Sequence, residues 1–503
     1  MKNKERNIFI DIIFFLIPML FVLIVSKVLD NDLWYLLSEG RYIVNHGIYH
    51  IDPLSMHTGL NVVVQNWLSA SLLWVVFSSL GGIGIYTLVL LCNFCIMYMV
   101  YKICDLISDH NRILSLIIMV LCDIALATVY IVSRPQIFSF IVLLSLIYVL
   151  ELYIKTGNWK YLLFLPLFSI IEINMQASLW WMLFLFMLPY VIDSFKIKFL
   201  NTEGYKKKPL FLFIGISLLA GLINPYGYKA ITFIFTSYGN KYMHDFIAEL
   251  NSFSMGNPFC IIMLSIVILM LFIYYCYRKG NTRFRYICLQ LGTMLLGFIT
   301  VKAFSHFILV AFLPFAYYFK DVFPRELKKS RVKLNKIINI SSKIIAVVGI
   351  IAVFILYVSK CNGDMMQSTL SPAFDTIDYM ANYVNLENKN IYTSFNNGGY
   401  AEFRGYKPYI DPRAELFLKV NNKKADYMEE FYKLQHGQVE PNEFVHKYDF
   451  KVMIIDSFDI MALFDSEEYA VVYSDNTYMV KVLVKKDIFT KEQLKSLESQ
   501  AKK

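Results

Sequence analysis

The sequence predicts an α-helical polytopic membrane protein of about 11 spans, followed by a C-terminal extracytoplasmic α/β domain. Three observations carry this. The chain of 503 residues is 57% hydrophobic and only 17% charged, with 41 Phe and 35 Tyr, where a soluble protein would carry about 25% charged residues. Apolar runs of roughly 20 residues, the length needed to cross a bilayer, recur between residues 7 and 358. After residue 361 the pattern stops, and 142 residues of ordinary soluble composition follow. A boundary at residue 360 therefore divides a transmembrane domain, 1–360, from a soluble domain, 361–503.

The expected spans are 7–28, 82–103, 112–132, 135–154, 159–172, 178–194, 209–223, 257–277, 286–301, 303–320 and 340–358. The first is too long for a signal-peptide core and lacks a small-residue cleavage site. The segment 66–80 is apolar but ends on Gly81-Gly82, which suits a re-entrant or interfacial helix. Basic residues orient the set. With the N-terminus cytoplasmic, the inner segments 1–6, 102–112, 155–160, 195–208, 278–285 and 320–343 hold 24 Lys and Arg. The outer loops hold five: Arg41, Arg134, Lys229, Lys241 and Lys302. Basic residues favour the cytoplasmic side, so the C-terminal domain is expected outside the cytoplasm and the protein in the plasma membrane. The net charge of +9 reflects this bias, and no nucleic-acid partner is indicated. Seven of the eight cysteines fall in or beside spans, and Cys361 alone lies in the exported portion, which leaves no internal disulfide there.

The first outer loop, 29–66, is the most informative segment: LDNDLWYLLSEGRYIVNHGIYHIDPLSMHTGLNVVVQN. Charged groups at a membrane boundary are costly unless they face water, a partner or a substrate. Asp32 and Asp30 sit where the chain leaves the first span and lead the catalytic candidates. They suit a general base that takes a proton from an acceptor hydroxyl, or ligands for a divalent cation such as Mg²⁺ or Mn²⁺. The structural alternative is a helix N-cap. Asp52, in Asp-Pro-x-Ser, reads either as a substrate contact or as turn chemistry.

Arg134 and Lys302 lie on the side where the chain otherwise avoids basic residues. A cation there suits a phosphate at headgroup level; snorkelling or carbonyl capping is the alternative. His306 follows Lys302 by four residues, on one face if the helix is continuous, and is otherwise an interior histidine. Glu172 and Asn174 interrupt an apolar run, which predicts an outer connection lining a polar cavity. LINPYG (222–227) reads as the end of a span, although Tyr226 could shape a site. In the soluble domain, YIDPRAE (409–415) places Asp411 and Arg413 either as a cap over the cavity or as a local ion pair.

That domain is expected to hold strands at 390–395 and 451–457, a turn at 396–399, a hairpin over 469–484 turning near Asp475-Asn476, and helices within 421–434, 440–447 and 490–501.

Taken in order, NDLWYLLSEGRYIV, DPLS, NWLSASLLW, SRPQIFSF, LINPYG, FNNGGYAEFRG and IDPRAEL resemble a group of bacterial multi-pass proteins related to the GT-C superfamily of membrane glycosyltransferases, and they span nearly the whole chain. That superfamily uses polyprenyl-phosphate-linked sugars. The resemblance implies that Asp32, with Asp30 as the alternative, is the acidic residue of the first outer loop that acts as base or metal ligand. It implies that Arg134 and Lys302 hold the donor phosphate, that 32–46 and 66–80 are interfacial helices, and that a glycan, lipid or protein accepts a hexosyl or pentosyl unit. The chain departs from the group at Asp30-Asn31-Asp32, where a close acidic pair is usual. It departs again at Gln65-Asn66 and at Asn174-Met175-Gln176, where relatives often carry histidine. A non-catalytic protein of cell-envelope polysaccharide assembly, with a sugar-binding exported domain, is the alternative function. Transport is disfavoured because the charges gather near the outer face and not along a path.

Overall fold

The computed structural model describes residues 7–200, 202–237, 240–256, 258–276, 283–322, 332–362, 374, 376–378, 380, 390–456, 459–475 and 480–501. The helices that matter below are α1 (Ile8–Val25), α2 (Leu33–His46), α3 (Trp67–Ile107), α4 (Arg112–Ala127), α5 (Gln136–Thr156), α6 (Phe164–Met175), α7 (Trp180–Asp193), α8 (Lys207–Ala220), α9 (Tyr228–Ser237), α10 (Pro258–Cys276), α11 (Phe284–Ile299), α12 (Phe304–Ala311), α13 (Phe315–Tyr318) and α14 (Val332–Asn362). Helix falls on each of the expected apolar runs. Five helical segments among the described residues are long and apolar enough to cross a membrane: Ile8–Val25, Trp67–Ile107, Gln136–Thr156, Val301–Tyr318 and Ile337–Cys361. Ala177–Asp193 and Phe284–Ile299 are shorter apolar helices.

Two compact units emerge from the internal contacts. One comprises Met1–Val28, Gly82–Ile231 and Glu249–Met365; the other comprises Leu29–Gly81, Thr232–Ala248 and Met366–Lys503. This differs from the division expected at residue 360. The loop 29–66 belongs with the C-terminal residues because its polar groups find their partners there: Asn61 donates to Asn422 O at 3.2 Å and Gln65 to Glu415 Oε1 at 2.5 Å. The seam falls on Gly81, whose φ of 62° and ψ of −153° interrupt α3. A side chain rarely tolerates that backbone, so glycine ends the 67–80 helix where the sequence places a boundary.

Helices joined by turns and loops make up the first unit, with no strand among its described residues. Asn7 and Asn111 cap α1 and α4 by accepting from Phe9 N and Leu114 N at 3.1 and 3.2 Å, which supplies the side-chain acceptor a helix start lacks. Helix α1 packs on α4 and α14, α6 on α8, and α11 on α7 and α12. One cluster of buried charges here is paired, as a low-dielectric interior favours. Arg285 reaches Glu151 at 3.0 Å and Asp193 at 2.8 Å, and Tyr190 donates to Glu151 at 2.9 Å. This network joins the ends of α5, α7 and α11.

The second unit is built on a five-stranded sheet: β1 (Asn390–Thr393), β2 (Lys407–Pro408), β3 (Val452–Ile455), β4 (Tyr469–Asp475) and β5 (Val480–Lys485), in the order β2-β1-β3-β5-β4. β1 runs parallel to β2 and β3, while β5 runs antiparallel to β3 and β4. All four residues of β3 are buried, the expected signature of a central strand. The hairpin turn, 476–479, lies outside the described residues. The turn expected at 396–399 is instead the start of a helix, α15 (Gly398–Phe403). Gly398 allows it. A Cβ there would stand 2.1 Å from Ile410 O, so only glycine lets the helix lie against the 410–411 backbone. Helix α2 packs on α15, and Trp34 sets its ring edge-on to Tyr400 at 4.8 Å and tilted to Phe403 at 5.0 Å. Gly40 similarly brings α2 against the start of α3, where a Cβ would meet Ala70 O at 2.1 Å.

Candidate functional site

The sequence-derived candidates divide between the units. Asp30, Asp32, Asp52, Asp411 and Arg413 belong to the second; Arg134, Glu172, Asn174, Tyr226, Lys302 and His306 belong to the first.

In the second unit Asp32 occupies the N-cap position of α2, but its side chain makes no capping hydrogen bond. Asp30 supplies the local order instead, its Oδ1 accepting from Asp32 N at 2.9 Å. The N-cap alternative therefore does not account for the Asp32 carboxylate. Among the described residues, no group of three or more His, Cys, Asp or Glu side chains is placed to hold a metal ion.

Asp411 and Arg413 form the local ion pair, extended by residues far away in the chain. Arg413 Nε and Nη2 donate to Asp411 at 3.0 and 2.8 Å, Nη1 donates to Asp52 Oδ1 at 2.7 Å, and Nη2 also donates to Glu402 Oε1. Asp52 at the same time accepts from Ser55 N at 2.8 Å, so its turn chemistry and its ionic role coexist. All of these groups are buried. Burial pushes the Asp52 carboxyl upward, but the Arg413 guanidinium and the Ser55 hydrogen bonds outweigh it and hold the group below its usual range. For Glu402 burial wins, and its carboxyl is raised well above the usual range despite Arg413.

Glu39, which the sequence did not single out, stands at the edge of this cluster. One carboxylate oxygen lies 3.9 Å from Arg413 Nη1, and the other, Oε2, has no hydrogen-bond partner. Burial, only partly countered by Arg413, pushes its carboxyl up to about 8, so it is largely protonated at neutral pH. Glu39 and Arg413 line a cleft whose wall also includes Tyr35, Gln65, Asn66 and Asn421. The signal that could have found Glu39 is its spacing: Asp32, Tyr35 and Glu39 stand at i, i+3 and i+7, one face of α2.

In the first unit Arg134 and Lys302 converge on an acid the sequence also left unmarked, Glu249. Arg134 Nη1 donates to both Glu249 oxygens, at 2.9 and 3.1 Å. Burial raises the Glu249 pKa, but Arg134 and then Lys302 overcome this and lower it. Lys302 lies in a 3₁₀ turn, Val301–Ala303, and α12 begins only at Phe304, so no continuous α-helical face joins it to His306. His306 is buried, its Nδ1 3.3 Å from Ser305 Oγ, and that hydroxyl accepts from Gln136 Nε2 at 2.5 Å.

Glu172 and Asn174 do not form the outer connection expected of them. Both lie in α6, which runs on to Met175. Glu172 is fully buried and neither carboxylate oxygen has a hydrogen-bond partner, while the neighbouring Ser139 hydroxyl donates to Gln176 Oε1 at 3.3 Å. Asn174 donates to Ile170 O at 2.7 Å and Ile223 O at 2.9 Å, which ties α6 to the 222–227 turn. Tyr226 is buried in that turn, its N–H held by Asn224 Oδ1 at 2.8 Å ahead of Gly227 at φ 56°. The motif turns the chain between α8 and α9.

Neither protein-family models nor characterised proteins give a match to the chain. Solved structures do. The oligosaccharyltransferase of Archaeoglobus fulgidus, tethered to an acceptor peptide containing an NVT sequon, superposes with a TM-score of 0.55 at 11% identity, over 95% of this chain and 74% of that one. The archaeal oligosaccharyltransferase AglB from the same organism, in complex with an inhibitory peptide and a dolichol-phosphate, gives 0.52 at 10% identity with the same coverage. The apo form gives 0.52 at 12% identity. The fold resembles that of these oligosaccharyltransferases. The likeness at this identity is one of fold, and it extends over nearly the whole chain.

Proposed function

We propose that the protein is a GT-C-type glycosyltransferase that moves a hexosyl or pentosyl unit from a polyprenyl-phosphate donor to an extracytoplasmic acceptor: a cell-surface glycan, a lipid or a protein. The observation that carries this reading is the fold likeness over 95% of the chain to an oligosaccharyltransferase. The neighbour that binds a dolichol-phosphate supports a lipid-linked donor. In this reading Asp32 supplies the base and Arg134 and Lys302 the cations. Asp32 takes the proton of the acceptor hydroxyl as its oxygen bonds to the anomeric carbon; the bond from that carbon to the phosphate oxygen breaks, and its electron pair leaves with the phosphate. Arg134 and Lys302 stabilise the negative charge that develops there. Attack from the face opposite the phosphate inverts the anomeric configuration. Should the reaction require Mg²⁺ or Mn²⁺, Asp30 and Asp32 are the residues to hold it, since such ions bind through one or two carboxylates together with substrate phosphates.

The test is transfer from a lipid-linked sugar by purified protein. Asp32→Asn is expected to abolish transfer while leaving thermal unfolding unchanged. Full activity in that variant removes Asp32 from the mechanism, and retained cellular function after neutralising both Asp30 and Asp32 favours the non-catalytic assembly role.

A further inference from the structure

We infer that the cleft beside Arg413 in the second unit is the acceptor site, and that it takes the hydroxyl-bearing edge of an uncharged glycan. This inference rests on the transferase reading above.

Four observations carry it. First, the space the cleft encloses is about 30 Å³, room for one or two hydroxyl-sized groups and not for a whole sugar ring. Second, a group of the cleft wall lacks a partner: Glu39 is 2% exposed, yet its Oε2 makes no hydrogen bond. Such a group is costly unless something satisfies it, and with its proton retained it can donate to a sugar oxygen or accept from a sugar hydroxyl. Gln65 repeats the pattern. Its Nε2 is engaged by Glu415, while its Oε1 has no partner.

Third, the charge of the wall disfavours an anion. Arg413 is the cation among these lining groups, and Asp411, Asp52 and Glu402 already occupy it. Glu39 and Glu415 add further acid to the same wall. A phosphate or an acidic sugar would meet carboxyl groups there. A neutral polyol meets side-chain amides, from Gln65, Asn66 and Asn421, that offer both donors and acceptors, beside the ring of Tyr35. Fourth, the cleft shares an element with the proposed base. Asp32 to Glu39 is seven residues along one face of α2, about 10 Å at the helical rise. A glycan anchored at Glu39 by one sugar is long enough to present the hydroxyl of another at Asp32.

The experiment measures binding of methyl glycosides of neutral hexoses to the full-length protein in detergent, by saturation-transfer NMR, with hexose 6-phosphates as the acidic comparison. Neutral glycosides are expected to bind and the phosphates to bind at least tenfold more weakly. Glu39→Gln, which keeps a donor, is expected to retain binding at pH 7; Glu39→Leu is expected to lose it at least tenfold. Wild-type binding is expected to decline above about pH 8, where Glu39 ionises against Asp52, Asp411, Glu402 and Glu415 with Arg413 as the opposing charge, and Glu39→Gln is expected to abolish that decline. Should Glu39→Leu fail to fold, the half-buried Gln65→Ala carries the test and must also weaken binding. Equal or tighter binding of the phosphates, or binding indifferent to both Glu39 and Gln65, overturns the assignment. Glycan binding that follows these rules in a protein without transfer from any lipid-linked sugar preserves the cleft and refutes the transferase. Transfer undisturbed by both positions does the reverse.

Discussion

Arg413 Nη1 donates to Asp52 Oδ1 at 2.7 Å, a buried bond between residues 361 positions apart. It joins the loop 29–66 to the C-terminal sheet region within one compact unit. Removing the cation while leaving its acids buried costs about 3–5 kcal/mol. Arg413→Met is therefore expected to lower the midpoint of thermal unfolding markedly. Arg413→Lys, which keeps the charge but cannot reach three carboxylates with a planar fork, should fall between the two.

The same cluster sets a pH dependence. Glu39 holds its proton in the folded state up to about pH 8, against 4.5 for an ordinary Glu. Between those values the native state binds the extra proton, so stability falls as pH rises, by up to about 1.4 kcal/mol per pH unit for one such group. Glu402, also raised, acts in the same direction. Asp52 is lowered and acts oppositely; its contribution is present above the ordinary Asp value and is lost as pH falls through its folded value. Unfolding midpoints from pH 5 to 8 should decline in the wild type and decline less in Glu39→Gln.

At the other candidate site, Glu249 competes with any phosphate for Arg134. Arg134→Gln is expected to weaken binding of a short-chain polyprenyl phosphate by about tenfold, ~1.4 kcal/mol. Glu249→Gln is expected to strengthen it, because the guanidinium then lacks its carboxylate. Unchanged binding in both variants reduces Arg134 to a structural partner of Glu249.

Gly40 is a steric requirement and not a flexible joint. The Cβ of an alanine there would press on Ala70 O at 2.1 Å and on Trp74 Cβ at 2.8 Å, and such overpacking costs about 1–3 kcal/mol. Because Asp32 and Glu39 ride on the same helix, Gly40→Ala is expected to reduce both stability and transfer. Gly82→Ala, with nothing within 4 Å of the added carbon, serves as the neutral control in the same assays.

The architecture was legible because its signals are local. Apolar length marked the helices, Gly81-Gly82 marked the break in α3, and β-rich runs marked β1, β3 and the β4–β5 pair. Local signals misled where tertiary packing overrode them. Asn396-Asn397-Gly398-Gly399 has turn composition, but its glycines serve the close approach of α15 to residues 410 and 411. The electrostatic partners were not legible for the same reason. Nothing near Arg134 in sequence points to Glu249, 115 residues on, and nothing near Arg413 points to Asp52. Glu39 was not singled out because what marks it, its burial and its unpartnered oxygen, is tertiary.

The 361-residue interval between Asp52 and Arg413 also sets a schedule for biogenesis. At a translation rate of about 5–20 residues per second, the early loop waits roughly 20–70 seconds for the cation that neutralises it. During that interval Asp52 lacks the guanidinium that makes its burial tolerable. A nascent chain arrested before residue 413 lacks the guanidinium that Asp52 and Glu402 share, so it cannot complete this buried cluster.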